Sequence, residues 1–232
     1  MKLLEKLNPE GDLNEFFTNP AYFTLPLGEL SLPTGKLIAC DPLGTLGWPG
    51  RQIPPFAPQL PKGVFPVTVS VAQQPQLGPC LMAARVEFSR KKAVRYQLAM
   101  RPGEEPGMLE EGEVFGFPVD SGLACFCDAS LEEDAGRAME RWRTDHPEKL
   151  YEEYFAPLFE RSYQRAPAHQ RPGGDWLNWR IPGGRGNAVL FASGFGEGYY
   201  PVYFGLDSAR SICCAVAVFI YPSVLSEMEE EE

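Results

Sequence analysis

Glycine and proline each occur 23 times in this chain of 232 residues. Glycine loses more conformational freedom than any other residue when a helix or strand fixes it, and proline lacks the backbone donor that both elements use. A chain punctuated this often breaks into short strands joined by many turns. Its length suits one large domain or two small ones, and such a chain can bury about 70% of its unfolded surface. We expect a single domain over 1–232. The apolar fraction of 44% and charged fraction of 22% suit a folded chain and not a disordered one.

Periodicity places the elements. A helical segment is expected within 1–20, where Leu4, Leu7, Leu13, Phe16 and Phe17 are apolar. Two apolar stretches around Pro33-Thr34-Gly35 read as a hairpin. Phe65, Val67, Val69 and Val71 alternate with Thr68 and Ser70, the pattern of a half-buried strand, and "ARVEFS" and "AVRYQLAM" extend it into an antiparallel meander. The period then changes. Ser130 and Glu133 have capping-box spacing, and helices are expected over 131–144 and 147–164. "QRAPAHQRPGGDWLNWRIPGGRG" reads as a loop. "NAVLFAS", "YYPVYFG" and "ARSICCAVAVFIY" read as strands, the last apolar on both faces and therefore central in its sheet. The acidic run over 227–232 reads as a disordered tail. The expected class is α+β: a largely antiparallel sheet with the helical pair of about 131–164 on one face and a short N-terminal helix.

The net charge is −10 and the sequence pI about 4.8. Phosphate backbones attract Lys and Arg, so this balance argues against nucleic acid and favours a basic protein partner. No apolar run approaches the ~20 residues that span a bilayer, so no membrane association is expected. The opening "MKLLEKLNPEGDLNEFF" is broken by Glu5, Pro9 and Glu10, unlike the apolar core of a signal peptide. Cys40, Cys80, Cys125, Cys127, Cys213 and Cys214 then read as free thiols in a cytoplasmic protein.

The stretch "SGFGEGYYPVYFGLD" looks most like a site. A phosphate-binding glycine loop needs a helix starting just beyond it, with its amides on the anion. Here Tyr199, Tyr200, Pro201 and the residues after them favour a strand. Gly194, Gly196 and Gly198 therefore read as a hairpin corner, the alternative being a ligand- or partner-contact surface formed with Tyr199 and Tyr200. Trp176 and Trp179, in "DWLNWR", are candidate stacking residues for a ligand, or anchors of a loop on the core. Asp41, Asp120, Asp128 and Glu197 are the candidate catalytic carboxylates, which would serve a hydrolase or a divalent cation if they converge at one sheet edge. The alternative is that they are turn residues bonding the nearby backbone. Cys125 and Cys127 share one face of a strand, but no C-x-x-C pair exists, and they read as small buried hydrophobes. His146 and His169 have no nucleophile context. We expect no metal and no cofactor.

Three blocks, "TGKLIACDPL", "FPVDSGLACFCD" and "SGFGEGYYPVYFGLD", resemble in order and spacing the signature of a bacterial family of domains of unknown function numbered 4241. The resemblance spans roughly residues 30 to 220. It departs where Glu197 stands in place of an expected Asp. It implies a single-domain architecture and a bacterial cytosolic setting, and if the blocks mark a shared site, Asp41, Asp120, Asp128 and Glu197 are its positions. The reading that follows is a non-enzymatic protein-interaction module of the immunity or antitoxin kind. The alternatives are a small-molecule binding module using the glycine-tyrosine corner, and a carboxylate-based or metal-assisted hydrolase.

Overall fold

Side-chain alternation along the strands decides how this molecule is layered. The computed structural model describes residues 12–48, 50, 52–75, 77–110, 113–146 and 149–224. Residues 1–11 of the helical segment expected within 1–20, and the acidic tail over 227–232, lie outside the described residues. The strands are β1 (Phe23–Leu32), β2 (Leu37–Cys40), β3 (Gly63–Gln74), β4 (Gly78–Glu87), β5 (Arg95–Leu98) and β6 (Phe117–Val119). They continue with β7 (Leu123–Asp128), β8 (Trp176–Arg180), β9 (Asn187–Ala192), β10 (Gly198–Tyr200), β11 (Val202–Leu206) and β12 (Ile212–Val218). All pairings are antiparallel. They build a six-stranded sheet β1-β3-β4-β12-β11-β5, a four-stranded sheet β2-β7-β9-β8 and a ribbon β10-β6.

The four-stranded sheet is the middle layer. Leu37, Ala39, Ala124, Phe126, Val189 and Phe191 share one apolar core with Val67, Val69, Val86 and Ala215 of the larger sheet. Their neighbours along the strands, Ile38, Cys40, Cys125, Cys127 and Leu190, share a second core with helical residues. Period-two alternation thus sends successive side chains into two different cores. The helices are α1 (Glu15–Thr18), α2 (Glu132–Asp145) and α3 (Ala156–Arg165), and a π-helical turn at Leu150–Phe155 leads into α3. Leu131, Ala135, Met139, Phe155 and Phe159 face the middle sheet. The α+β class, the antiparallel pairing and the helical pair on one face are as the sequence indicates.

Several local expectations are corrected. Pro33-Thr34-Gly35 joins β1 to β2, but β1 pairs with β3 and β2 with β7, so this turn crosses between sheets and closes no hairpin. The meander ends at β4, because β12 and β11 lie between β4 and β5. "YYPVYFG" divides at Pro201: β10 joins the ribbon and β11 the large sheet, since proline has no N–H for a ladder. "DWLNWR" is strand β8 and not loop. The expected capping box does not form. Asp128 instead accepts the Ser130 N–H at 2.9 Å and the Ser130 hydroxyl at 2.7 Å, capping a short 3-10 turn before α2.

The loop after β2 meets α2 through two glycines. A Cβ on Gly136 would lie 2.5 Å from the Gly47 carbonyl oxygen, so the close approach requires a residue without a side chain. All six cysteines are buried free thiols. Burial raises the pKa of the Cys125 and Cys127 thiols well above the usual value and lifts that of Cys214 to about 12, so they pack as neutral groups. Among the described residues no helix is long and apolar enough to cross a membrane.

Phe126 is fully buried between the sheets, its ring 5.3 Å from that of Phe191. Phe126→Ala is expected to lower unfolding free energy by about 3–5 kcal/mol in urea denaturation; a loss below about 1 kcal/mol would mean that the two sheets do not pack there.

Candidate functional site

Asp41 directly follows β2 and is 1% exposed. Its Oδ1 accepts the N–H of Leu43 at 2.8 Å, the N–H of Gly44 at 2.8 Å and the Ser121 hydroxyl at 2.7 Å. Its Oδ2 accepts the N–H groups of Asp120 at 2.9 Å and Ser121 at 2.8 Å. Five donors therefore compensate one buried carboxylate, which ties the turn after β2 to the turn between β6 and β7. Asp128 is 0% exposed and holds the other end of β7. Besides Ser130 it accepts the Thr34 N–H at 3.0 Å and the Thr34 hydroxyl at 2.7 Å. Register pairs Leu37 with Asp128 and Cys40 with Cys125, so Asp41 and Asp128 sit at opposite ends of the β2–β7 pair. Four residues of strand separate them, about 13 Å. Asp120 and Glu197 are exposed. The four carboxylates do not converge, and those at 41 and 128 are committed to backbone and hydroxyl donors. Among the described residues no three His, Cys, Asp or Glu side chains gather as metal ligands would.

The glycine corner connects β9 to β10, strands of two different sheets, so it is a crossing and not a hairpin. No helix follows Gly198. Gly194 and Gly196 have φ of 63° and 109°. A Cβ on Gly194 would lie 2.8 Å from Ile220, so both backbone and space demand glycine there. The corner is stitched from within. The Gly196 carbonyl accepts the Ser193 hydroxyl at 2.8 Å and the Tyr200 hydroxyl at 2.9 Å, while the Ser193 N–H donates to the Gly122 carbonyl at 3.1 Å. The last bond docks the corner on the Asp120–Gly122 turn, which Asp41 holds from the other side.

A cleft of about 300 Å³ opens where these turns meet. Ser121, Gly122, Gly194, Phe195 and Gly196 line one part of it, and Tyr151, Arg171 and Asp175 another. Phe195 is 49% exposed and Tyr151 39%. Asp175 is buried, and the Arg171 guanidinium grips its Oδ1 through Nε and Nη2, both at 2.7 Å. Burial pushes the Tyr151 phenol above its usual pKa, while the nearby Arg171 charge opposes the shift, so the hydroxyl stays protonated at neutral pH.

Other expected residues stand elsewhere. Trp176 and Trp179 are three apart on a strand and face opposite sides. Trp176 packs on the inter-sheet core. Trp179 packs in the helical core, its indole N–H donating to the Tyr154 hydroxyl at 3.0 Å. They offer no common stacking surface. Tyr199 is 52% exposed, and its hydroxyl accepts the Gly116 N–H at 3.1 Å; Tyr200 is buried against Phe117 and Phe219. Neither lines the cleft. His146 caps α2 and stacks on Trp142, and His169 stacks on Phe23. Tyr151, Arg171, Asp175 and Phe195 escape sequence reasoning. The Arg171–Asp175 spacing of four is visible, but a Pro/Gly-rich stretch gives it no helical register to mark the pair.

The structure is thus a three-layer α+β protein with a small cleft at one end of its central sheet. A family model described as Protein of unknown function (DUF4241) matches residues 30–217, and the chain belongs to that family. Neither the curated proteins nor the solved structures contain a match.

Either oxygen of Asp41 faces N–H donors, so an amide at that position must point a donor at a donor. Asp41→Asn is expected to cost about 2–4 kcal/mol in chemical denaturation, while Glu197→Gln at the exposed corner changes stability by less than about 0.5 kcal/mol. Equal effects would contradict the structural role of Asp41.

Proposed function

We propose that this protein acts by binding and not by catalysis, and that the cleft between the Ser121–Gly122 turn, the glycine corner, Tyr151 and Arg171 is its recognition site. The observation that carries the reading is the division of labour among the polar groups. Asp41, Asp128 and Asp175 have their carboxylates occupied by internal donors, which withdraws them from acid–base work. Tyr151, Arg171 and Phe195 remain accessible at the cleft. A concave site with an apolar wall and a few fixed polar groups is the usual form of a small-ligand pocket. The absence of a membrane-crossing helix among the described residues is compatible with a cytoplasmic setting. The test is a thermal-shift screen of nucleosides, sugars and amino-acid derivatives on wild type and on Phe195→Asp. A compound that raises Tm for wild type but not for the variant supports the cleft. Hydrolysis of any of them that Asp120→Asn abolishes without unfolding the chain would overturn the reading.

A second surface favours the interaction-module reading of the immunity or antitoxin kind. A groove of about 910 Å³ runs between Gly47, Trp48 and Gln52 and the face of α2 that carries Glu132, Glu133 and Glu140. Trp48 is 44% exposed, and burial raises the pKa of the Glu132 carboxyl. The chain's own Arg137 pairs with Glu133 in this groove and Arg143 lies 5.3 Å from the centre of the Trp48 ring, so the surface already seats cations; a basic partner would compete for these places and add Glu140, steered by the net charge of −10. Glu133→Lys with Glu140→Lys should slow association with such a partner at low salt and leave dissociation nearly unchanged; an unaltered association rate would remove the groove from consideration.

A further inference from the structure

Resting on the cleft as the recognition site, we infer that its ligand is an amino-acid-sized molecule whose carboxylate docks end-on onto the Arg171 guanidinium, with a short apolar tail against Leu123 and Phe195. The orientation of Arg171 carries this. Asp175 is 2% exposed and anchored on every side. Its Oδ2 accepts the Arg171 N–H at 2.7 Å, its own N–H donates to Gln170 at 3.0 Å, and its carbonyl accepts the Ala192 N–H at 2.8 Å. The two guanidinium bonds to Oδ1 consume the Nε–Nη2 edge and hold the plane of the group fixed, although the side chain is 49% exposed. A guanidinium has five N–H donors. The Nη1–Nη2 edge is left over, and among the described residues Nη1 makes no hydrogen bond or ion pair. Two parallel donors on a rigid plane match the two oxygens of a carboxylate, and a fork already fixed by Asp175 loses little further entropy on binding.

The rest of the lining agrees. The Tyr151 hydroxyl, in the electrostatic reach of Arg171, is a second donor beside the fork. Leu43, Leu123, Ala192 and Phe195 provide the apolar surface. A cationic ligand finds no free carboxylate: among the described residues Asp175 is the only one in the lining, and it is engaged by Arg171. A phosphate dianion would want more donors than one fork and one phenol, and the corner runs into strand β10, so no helix N-terminus adds to them. The volume of about 300 Å³ lies at the small end of ligand sites. The net charge of −10 opposes anions at a distance but is screened beyond about 8 Å in physiological salt, so a ligand with a single negative group suits the site better than a polyanion.

The experiment titrates the full chain with three probes: N-acetyl-leucine, its neutral amide N-acetyl-leucinamide, and inorganic phosphate. Binding is read from the backbone amide shifts of Gly122, Gly194 and Gly196. The acid is expected to shift these glycines, and the amide to bind about tenfold more weakly or worse, as expected for the loss of a charge-assisted pair. Tyr151→Phe should weaken the acid and leave the amide alone, whereas Phe195→Ala should weaken both. Arg171→Lys, which keeps the charge and loses the fork, should also weaken the acid; Tyr151→Phe supplies the answer if the lysine variant does not fold. Equal binding of acid and amide would overturn the carboxylate while leaving the cleft as a recognition site. Phosphate shifting the glycines as strongly as the acid would overturn the carboxylate in favour of a general oxyanion site. No shift from any probe would overturn the ligand class, and the cleft itself would then stand or fall by the nucleosides and sugars of the thermal-shift screen.

Discussion

A charged carboxylate taken out of water is costly unless donors replace its hydration, and at Asp41 five donors do so. Those donors come from two turns far apart in sequence, one after β2 and one before β7. The carboxylate therefore acts as a junction. It fixes where the middle sheet ends and presents Ser121 and Gly122 at a defined height. The glycine corner, bonded to Gly122 through Ser193, takes its position from the same junction. The cleft exists because three irregular segments are held together at one sheet end, with no regular ladder to do it.

The middle sheet explains why such junctions are needed. It is covered by another sheet on one side and by helices on the other, so every strand must leave into a neighbouring layer. The chain crosses between sheets at Pro33–Gly35 and at Ser193–Glu197, and Pro201 moves it again from the ribbon to the large sheet. Asp128 anchors the first crossing through Thr34, as Asp41 anchors the turn at the opposite end. The stretches "TGKLIACDPL", "FPVDSGLACFCD" and "SGFGEGYYPVYFGLD" coincide with these crossings and their anchors, so in this chain they serve its routing.

Local pattern in the sequence reveals what depends on neighbours along the chain. Strand β3 shows in the alternation from Phe65 to Val71, the helices in the spacing of Leu131, Ala135, Ala138, Met139 and Trp142, and the central position of β12 in its apolar residues on both faces. Pairing is a different matter. The same alternating strands fit one sheet or two, and nothing in "LPTGK" distinguishes a hairpin from a crossing until β3 and β7 compete for β1 and β2. Asp before Pro and Asp before Ser-Gly read first as turn residues and second as catalytic carboxylates, and the distances decide for the former at 41 and 128. Arg171 and Tyr151 were illegible as site residues because one lies in a loop and the other in a helical apolar pattern. Their meeting depends on how α3 and the loop after it fold back on β8.

Backbone hydrogen exchange at Leu43, Gly44, Asp120 and Ser121 tests the junction most directly. All four lie outside helices and strands, so ordinary turn amides there would exchange through local opening. Because they donate to one buried carboxylate, the account predicts that the four share one slow rate, close to that of β7 amides such as Cys125. Fast and mutually independent exchange at these four positions, with β7 still protected, would contradict it.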